Sequence, residues 1–149
     1  MTEEIILRPA KPEDFPFCER VYFKEMGWII EALKPDPARH RDGFTRQWHC
    51  AEARVIATES YDVGWVQTTP AGDAIFLGQF YLEGRFQRQG IGSRVMRLLI
   101  EEAASTKKAV ALAVVKINPA RRFYERLGFR VTHEDEHKVY MRRDPLMTV

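Results

Sequence analysis

Cysteine, net charge of either sign and long apolar runs are what this sequence of 149 residues has least of. Its two cysteines, Cys18 and Cys50, stand far apart and belong to no Cys-x-x-Cys pair. That argues against a metal-ligand pair and for two buried or half-buried thiols. Lysine and arginine number 23 against 21 aspartates and glutamates, so the net charge is +2. A dedicated nucleic-acid binder carries a strong basic excess, and this chain has none. No stretch approaches the roughly 20 apolar residues of a membrane span. The start, Met1-Thr2-Glu3-Glu4, is acidic and polar with no apolar run behind it. No secretory signal is therefore expected, and the expected location is cytoplasmic.

What is present is the composition of an ordinary globular protein: 45% hydrophobic and 30% charged, with three Trp, five Tyr and nine Phe. Disordered chains lack that much apolar area. The length suits one domain over residues 1–149, with 144–149 as a loose tail.

Residues 5–7 read as a first strand, closed by Arg8-Pro9. Pro12-Glu13-Asp14 opens a helix, because proline suits the first turn and carboxylates favour the positive end of the helix dipole. Phe15, Cys18, Val21, Tyr22 and Met26 keep one face of that helix apolar, and Gly27 ends it. After Pro35-Asp36-Pro37 a second helix runs over residues 38–48, with Phe44 and Trp48 inward. Residues 55–58 and 63–68 form a hairpin about Tyr61-Asp62. Residues 69–73 make a second turn, and 74–82 complete a three-strand meander. Ile91, Val95, Leu98, Leu99 and Ala103 then space out a long helix. The apolar run over 109–115 suits a strand covered on both faces. Asn118-Pro119 starts a helix that Leu127-Gly128 stops, and residues 130–133 and 138–141 close the chain as a hairpin. The class is α+β.

The segment Gln87-Arg88-Gln89-Gly90-Ile91-Gly92-Ser93 carries the most chemistry, since it follows a strand and opens an amphipathic helix. Two glycines one residue apart let the backbone turn so that several amides face one anion. The helix start adds its own unpaired N–H groups and its positive dipole end. Arg85, Arg88, Arg94 and Arg97 surround it, against the single carboxylate of Glu83. A phosphate or pyrophosphate fits such a site. It is no dinucleotide fingerprint, because Val95 stands where the third glycine belongs, and no P-loop, because Gly-Lys-Ser/Thr is missing.

Gln87-x-x-Gly90-x-Gly92 resembles the acyl-CoA-binding signature Gln/Arg-x-x-Gly-x-Gly/Ala of the GNAT (Gcn5-related) N-acetyltransferase superfamily. The stretch from Asn118 to Phe129 resembles the family's second hallmark, a Tyr on a short helix that ends in Gly-Phe. The resemblance implies a mixed, mostly antiparallel sheet of six to seven strands with about four helices, splayed between the fourth and fifth strands. It also implies an acetyl-CoA-dependent N-acetyltransferase without a metal, acting by direct transfer to a primary amine. A non-catalytic acyl-CoA-binding sensor or subunit of the same fold is the second reading. On the resemblance, the amides of Gln87, Arg88, Gln89, Gly90, Ile91, Gly92 and Ser93 would hold the pyrophosphate of acetyl-CoA. Phe80, Tyr81 and Leu82 would lend backbone groups to the pantetheine arm, with the Phe80 amide polarising the thioester carbonyl. Tyr124 would protonate the departing thiolate.

Two readings fit Tyr124 on its own: a proton donor, since a phenol titrating near ~10 is protonated at neutral pH, or a core tyrosine with a satisfied hydroxyl. Asn118 stands six residues before Tyr124, whereas the family's Asn most often stands seven before, at Ile117 here. Contact with CoA and a plain helix cap both fit Asn118.

For the base that accepts the amine proton the candidates are Glu31, Gln79 through water, Tyr81, Glu83 and the histidines. Glu83 also reads as a solvated loop carboxylate, and His40 and His49 as surface or helix-end residues. The polar run His133-Glu134-Asp135-Glu136-His137 reads as a solvated turn rather than a metal site. Trp28 and Glu31 pair an aromatic face with a carboxylate, which suits a cationic amine, and Gln79 is a polar residue in an apolar strand. The acceptor is expected to be a small-molecule or peptide amine, with no nucleic-acid or membrane partner and with a homodimer as an option.

Overall fold

The β-branched and aromatic runs of the sequence become seven strands in the computed structural model, which describes residues 3–145. They are β1 (Ile6–Pro9), β2 (Ala53–Ala57), β3 (Asp62–Ala71), β4 (Ala74–Leu82), β5 (Ala109–Val115), β6 (Arg130–Glu134) and β7 (Lys138–Arg143). Five helices accompany them: α1 (Phe15–Glu25), α2 (Gly27–Leu33), α3 (Pro37–Gln47), α4 (Ile91–Ser105) and α5 (Arg121–Arg126). The strand order is β1-β2-β3-β4-β5-β7-β6. β4 and β5 pair in parallel, over Ala74–Leu77 and Ala109–Leu112. Their ladder stops at Leu77↔Leu112, although β4 runs on to Leu82 and β5 to Val115. This is the expected mixed sheet.

Three local expectations need correction. Gly27 begins α2 instead of ending α1, which brings the helices to five, in line with the expected number of about four. Met26 closes α1, and α2 stops where Lys34 takes a left-handed φ of 47°. Next, β3 continues through Thr69, Pro70 and Ala71, so the second turn shrinks to Gly72-Asp73, with Gly72 at φ 65°. Proline cannot donate to a ladder but tolerates an exposed strand end, and Pro70 is exposed. Finally, α5 starts at Arg121 rather than at Asn118-Pro119. Asn118 accepts the Ala120 N–H at 2.9 Å through Oδ1, a turn that leads into the helix.

The chain divides into two compact units. The first comprises residues 1–67 and 79–92, the second 68–78 and 93–149. The first unit's core is aromatic. Cys18, Val21, Tyr22, Phe44, Ala53 and Trp65 form its centre, and Phe15, Phe17, Phe23, Trp48 and Tyr81 pack on it. Tyr22 meets Phe23 and Tyr81 edge to face, with centroids 4.9 and 5.3 Å apart, an arrangement favoured by the ring quadrupoles. Gly64 is obligatory here, since a Cβ would stand 2.0 Å from the Tyr81 carbonyl oxygen. Cys18 is buried, and burial pushes its thiol up to about 12.

The second unit's core is aliphatic. Val95, Met96, Leu99, Ile100 and Ala103 of α4 are buried, as are Val110, Leu112 and Val114 of β5 and Val139 and Met141 of β7. β7 pairs antiparallel with both β5 and β6. Asp73 at the β3–β4 turn takes both arms of the Arg142 guanidinium at 2.9 and 3.1 Å. Asp144 pairs with Arg130 and Arg142, each at 2.8 Å. The rest of the expected tail, residues 146–149, lies outside the described residues.

Candidate active site

The first unit contains the loop. β4 ends at Leu82, a 3-10 turn covers Gly84–Phe86, and α4 begins at Ile91. Between them Arg88 and Gly90 both take left-handed backbone, at φ 62° and 82°. Alternating right- and left-handed residues turn successive N–H groups toward one point, the geometry of an anion nest. A Cβ at Gly90 would meet nothing within 4 Å, so the space in front of the turn is open. Gln87, Arg88, Gln89 and Gly90 are exposed, whereas Ile91 is buried and anchors the helix start. Gly92 and Ser93 are half-buried.

Side chains far away in sequence fasten the loop. Glu25, the last residue of α1, accepts the Gly84 N–H at 3.0 Å and Gln87 Nε2 at 2.7 Å. Gln87 Nε2 also donates to the Leu82 carbonyl at 2.8 Å. Gln89 Nε2 donates to the Arg85 carbonyl at 2.9 Å. Glu83 is not the solvated loop carboxylate expected: it is only 6% exposed, bonded to Arg20 at 3.2 Å and 3.8 Å from Arg85. The reason is that α1 brings Arg20 over it, and its own N–H is held by the Val63 carbonyl at 2.9 Å. Arg85 in turn lies over the rings of Tyr61 and Phe86, 5.0 and 4.5 Å from their centroids. The sequence reading missed Arg20 and Glu25. One signal was there, because a carboxylate in a helix's last turn opposes the dipole and needs another partner.

Phe80, Tyr81 and Leu82, also in the first unit, are half-buried at the end of β4. Gln79 accepts the Tyr81 hydroxyl at 2.7 Å. The acceptor candidates fall on α2, where Trp28 is 46% exposed and Glu31 is exposed as well. Neither lines the neighbouring cleft of about 380 Å³, whose walls are Phe23, Ile30, Pro35 and Pro37 with Arg20, His40 and Arg41. His40 is half-buried rather than at the surface, its Nε2 2.7 Å from the Tyr22 hydroxyl. His49 is exposed and pairs with Glu52 at 3.0 Å.

The second unit contains Tyr124 and Asn118. Tyr124 sits half-buried on α5, edge-on to Phe123 and Phe129 at 5.2 and 5.7 Å. Burial pushes its phenol up to about 12, so it stays protonated through neutral and moderately alkaline pH. α5 stops at Gly128, φ 93°, which lets Phe129 enter the core. Asn118 is half-buried and caps Ala120, and it also lines a cleft of about 210 Å³ with Val114, Lys116, Arg121 and Glu134. Ile117 is 51% exposed. The 133–137 run spans the β6–β7 turn, where Asp135 accepts the N–H groups of His137 and Lys138 and the Tyr140 hydroxyl. Those three donors pull the Asp135 carboxyl down to about 2, the Tyr140 hydroxyl most.

The fold is shared with known proteins. The chain is similar to the coenzyme A complex of PaiA N-acetyltransferase from Thermoplasma acidophilum, with a TM-score of 0.78 at 16% identity, covering 97% of this chain and 99% of that one. It is similar to histone acetyltransferase HPA2 and related acetyltransferase from Corynebacterium glutamicum, with a TM-score of 0.72 at 19% identity and 99% of both chains covered. A GNAT-family acetyltransferase from Listeria monocytogenes gives 0.71 at 15% identity, over 97% and 98%. At these identities the likeness speaks of the fold alone. No curated protein matches the chain significantly. No helix among the described residues is long and apolar enough to cross a membrane. The family model of the acetyltransferase (GNAT) family matches residues 8–129, most of the chain, and the protein belongs to that family.

Proposed function

We propose that this protein is an acetyl-CoA-dependent N-acetyltransferase that acylates a primary amine, of a small molecule or a peptide, by direct attack in a ternary complex. The observation that carries this reading is the loop before α4, with left-handed Arg88 and Gly90 and open space in front of Gly90. Such a loop fits the phosphates of the donor. Bound acetyl-CoA supplies the acetyl group as a thioester. The amides of residues 87–93 hold the pyrophosphate, and the backbone of Phe80, Tyr81 and Leu82 steadies the pantetheine arm. The Phe80 N–H donates to the thioester oxygen as negative charge gathers there. Tyr124 holds a proton at its phenol oxygen for the departing thiolate, a role its raised pKa supports. Asn118 serves its helix turn first.

Release of free thiol from acetyl-CoA, measured across a library of amines with the purified chain, tests the proposal. Amine-dependent thiol release and an acetylated product are expected. Tight CoA binding without turnover on any amine would instead make the chain a sensor or subunit.

A further inference from the structure

Glu25 stands outside both sequence motifs and touches no reacting group, yet its two carboxylate oxygens hold both ends of the turn that leads into the loop. One takes the Gly84 backbone N–H at 3.0 Å, the other Gln87 Nε2 at 2.7 Å. Gln87 Nε2 is itself tied to the Leu82 carbonyl at 2.8 Å, so the carboxylate, the motif glutamine and the end of β4 form one connected set. Within that turn Phe86 N–H bonds the Glu83 carbonyl at 2.9 Å and Gln87 N–H bonds the Gly84 carbonyl at 3.1 Å. The left-handed residues Arg88 and Gly90 follow directly. A second link, Arg20 to the buried Glu83, fixes the same segment from the same helix.

By charge alone this placement is unfavourable. A carboxylate at the last residue of α1 opposes the helix dipole, and a negative charge near a phosphate site repels the ligand. Hydrogen bonds from a charged acceptor are the strong kind, and geometry is what they supply. We infer that Glu25 is a positioning residue that sets the pyrophosphate-binding loop in its binding shape through Gly84 and Gln87. This rests on the loop being the donor site. The charge argument also makes the sign of the effect decisive: if Glu25 acted only as a charge, removing it would tighten anion binding, whereas loss of a positioning contact loosens it.

The test titrates CoA calorimetrically into the full chain, wild type, Glu25→Ala and Glu25→Gln. It adds kcat and KM for acetyl-CoA and amide hydrogen exchange of the free proteins. Glu25→Ala is expected to raise Kd for CoA and KM for acetyl-CoA about tenfold or more, since it removes two charge-assisted hydrogen bonds. Its kcat at saturating donor stays within about twofold, because the residue acts before chemistry. Glu25→Gln keeps one acceptor oxygen and falls between. The Gly84 amide loses exchange protection in the Ala variant, and binding of pantetheine, which lacks the phosphates, does not change. CoA binding that is unchanged or tighter in Glu25→Ala overturns the inference, as does a loss confined to kcat. Failure of the wild type to bind CoA overturns the functional reading itself, a separate result.

Discussion

The loop in the first unit and Tyr124 in the second are held in opposite ways. The loop is exposed backbone, shaped by two left-handed residues and tied down by polar side chains from α1 that lie some sixty residues earlier. Tyr124 is a side chain on a six-residue helix, set by neighbours within the same short stretch: the Asn118 turn before it, Gly128 after it and the rings of Phe123 and Phe129 beside it. The two cores differ in the same sense. Aromatic rings from α1, α3, β3 and β4 build the first, and aliphatic residues at regular helix and strand spacing build the second. The shape of the loop therefore depends on long-range contacts, while the setting of Tyr124 depends on local sequence and burial.

Substitutions can break this comparison. The largest effect is expected for Gly90→Glu. The position needs φ 82°, which a side chain resists, and the new carboxylate enters the open space in front of the loop, where it would repel a phosphate. CoA-induced stabilisation in a melting experiment should vanish, and an undiminished shift would remove the loop from the donor site. Tyr124→Phe should lower kcat about 100-fold with little change in CoA affinity, the usual scale for losing a general acid. Its pH profile sharpens the point. On the proposed mechanism the neutral phenol is the donor, and burial raises its pKa from the usual 10 to about 12. The active form thus persists below about 12, so no alkaline limb should appear near pH 10; a limb there in kcat, lost in Tyr124→Phe, would contradict the buried-phenol account.

The cores come next. Trp65→Ala in the first unit should cost about 3–5 kcal/mol and Leu99→Ala in the second about 2–5 kcal/mol in denaturant titrations. The first should also weaken CoA binding, because Trp65 packs on Tyr81 of the strand leading to the loop, 5.5 Å between centroids. Equal binding in Trp65→Ala would show that the aromatic core does not support the loop. The smallest effect belongs to Asp73→Asn, which breaks a bidentate pair that is largely solvent-exposed. Its melting temperature should move by about 2 °C or less.

Much of the second unit was legible because its signals are local and periodic. The apolar spacing gave α4, the uninterrupted run gave β5, and a Gly stop gave the end of α5. The first unit resisted reading where tertiary contacts outweigh local preference. Gly27 suggested a helix end, yet it opens α2, whose Ile29 is buried. Pro70 suggested a turn, yet it lies inside β3 at an exposed position. Glu83 looked solvated because nothing in its own neighbourhood announces Arg20.

The sequence by itself determined the glycine-spaced loop ahead of α4, the order of strands and helices around it and the tyrosine on the Gly-Phe-terminated helix. All three rest on backbone freedom and residue spacing within a few turns of chain. Only the tertiary structure decided that Glu83 is buried, that Glu25 and Arg20 grip the loop, and that Tyr124 is half-buried beside Phe129. Those are facts of burial and of pairing between distant segments, and they come into being only when the chain folds. Within the net charge of +2, Glu83 beside the loop is paired with Arg20 and lies 3.8 Å from Arg85, a pairing that only the fold brings about.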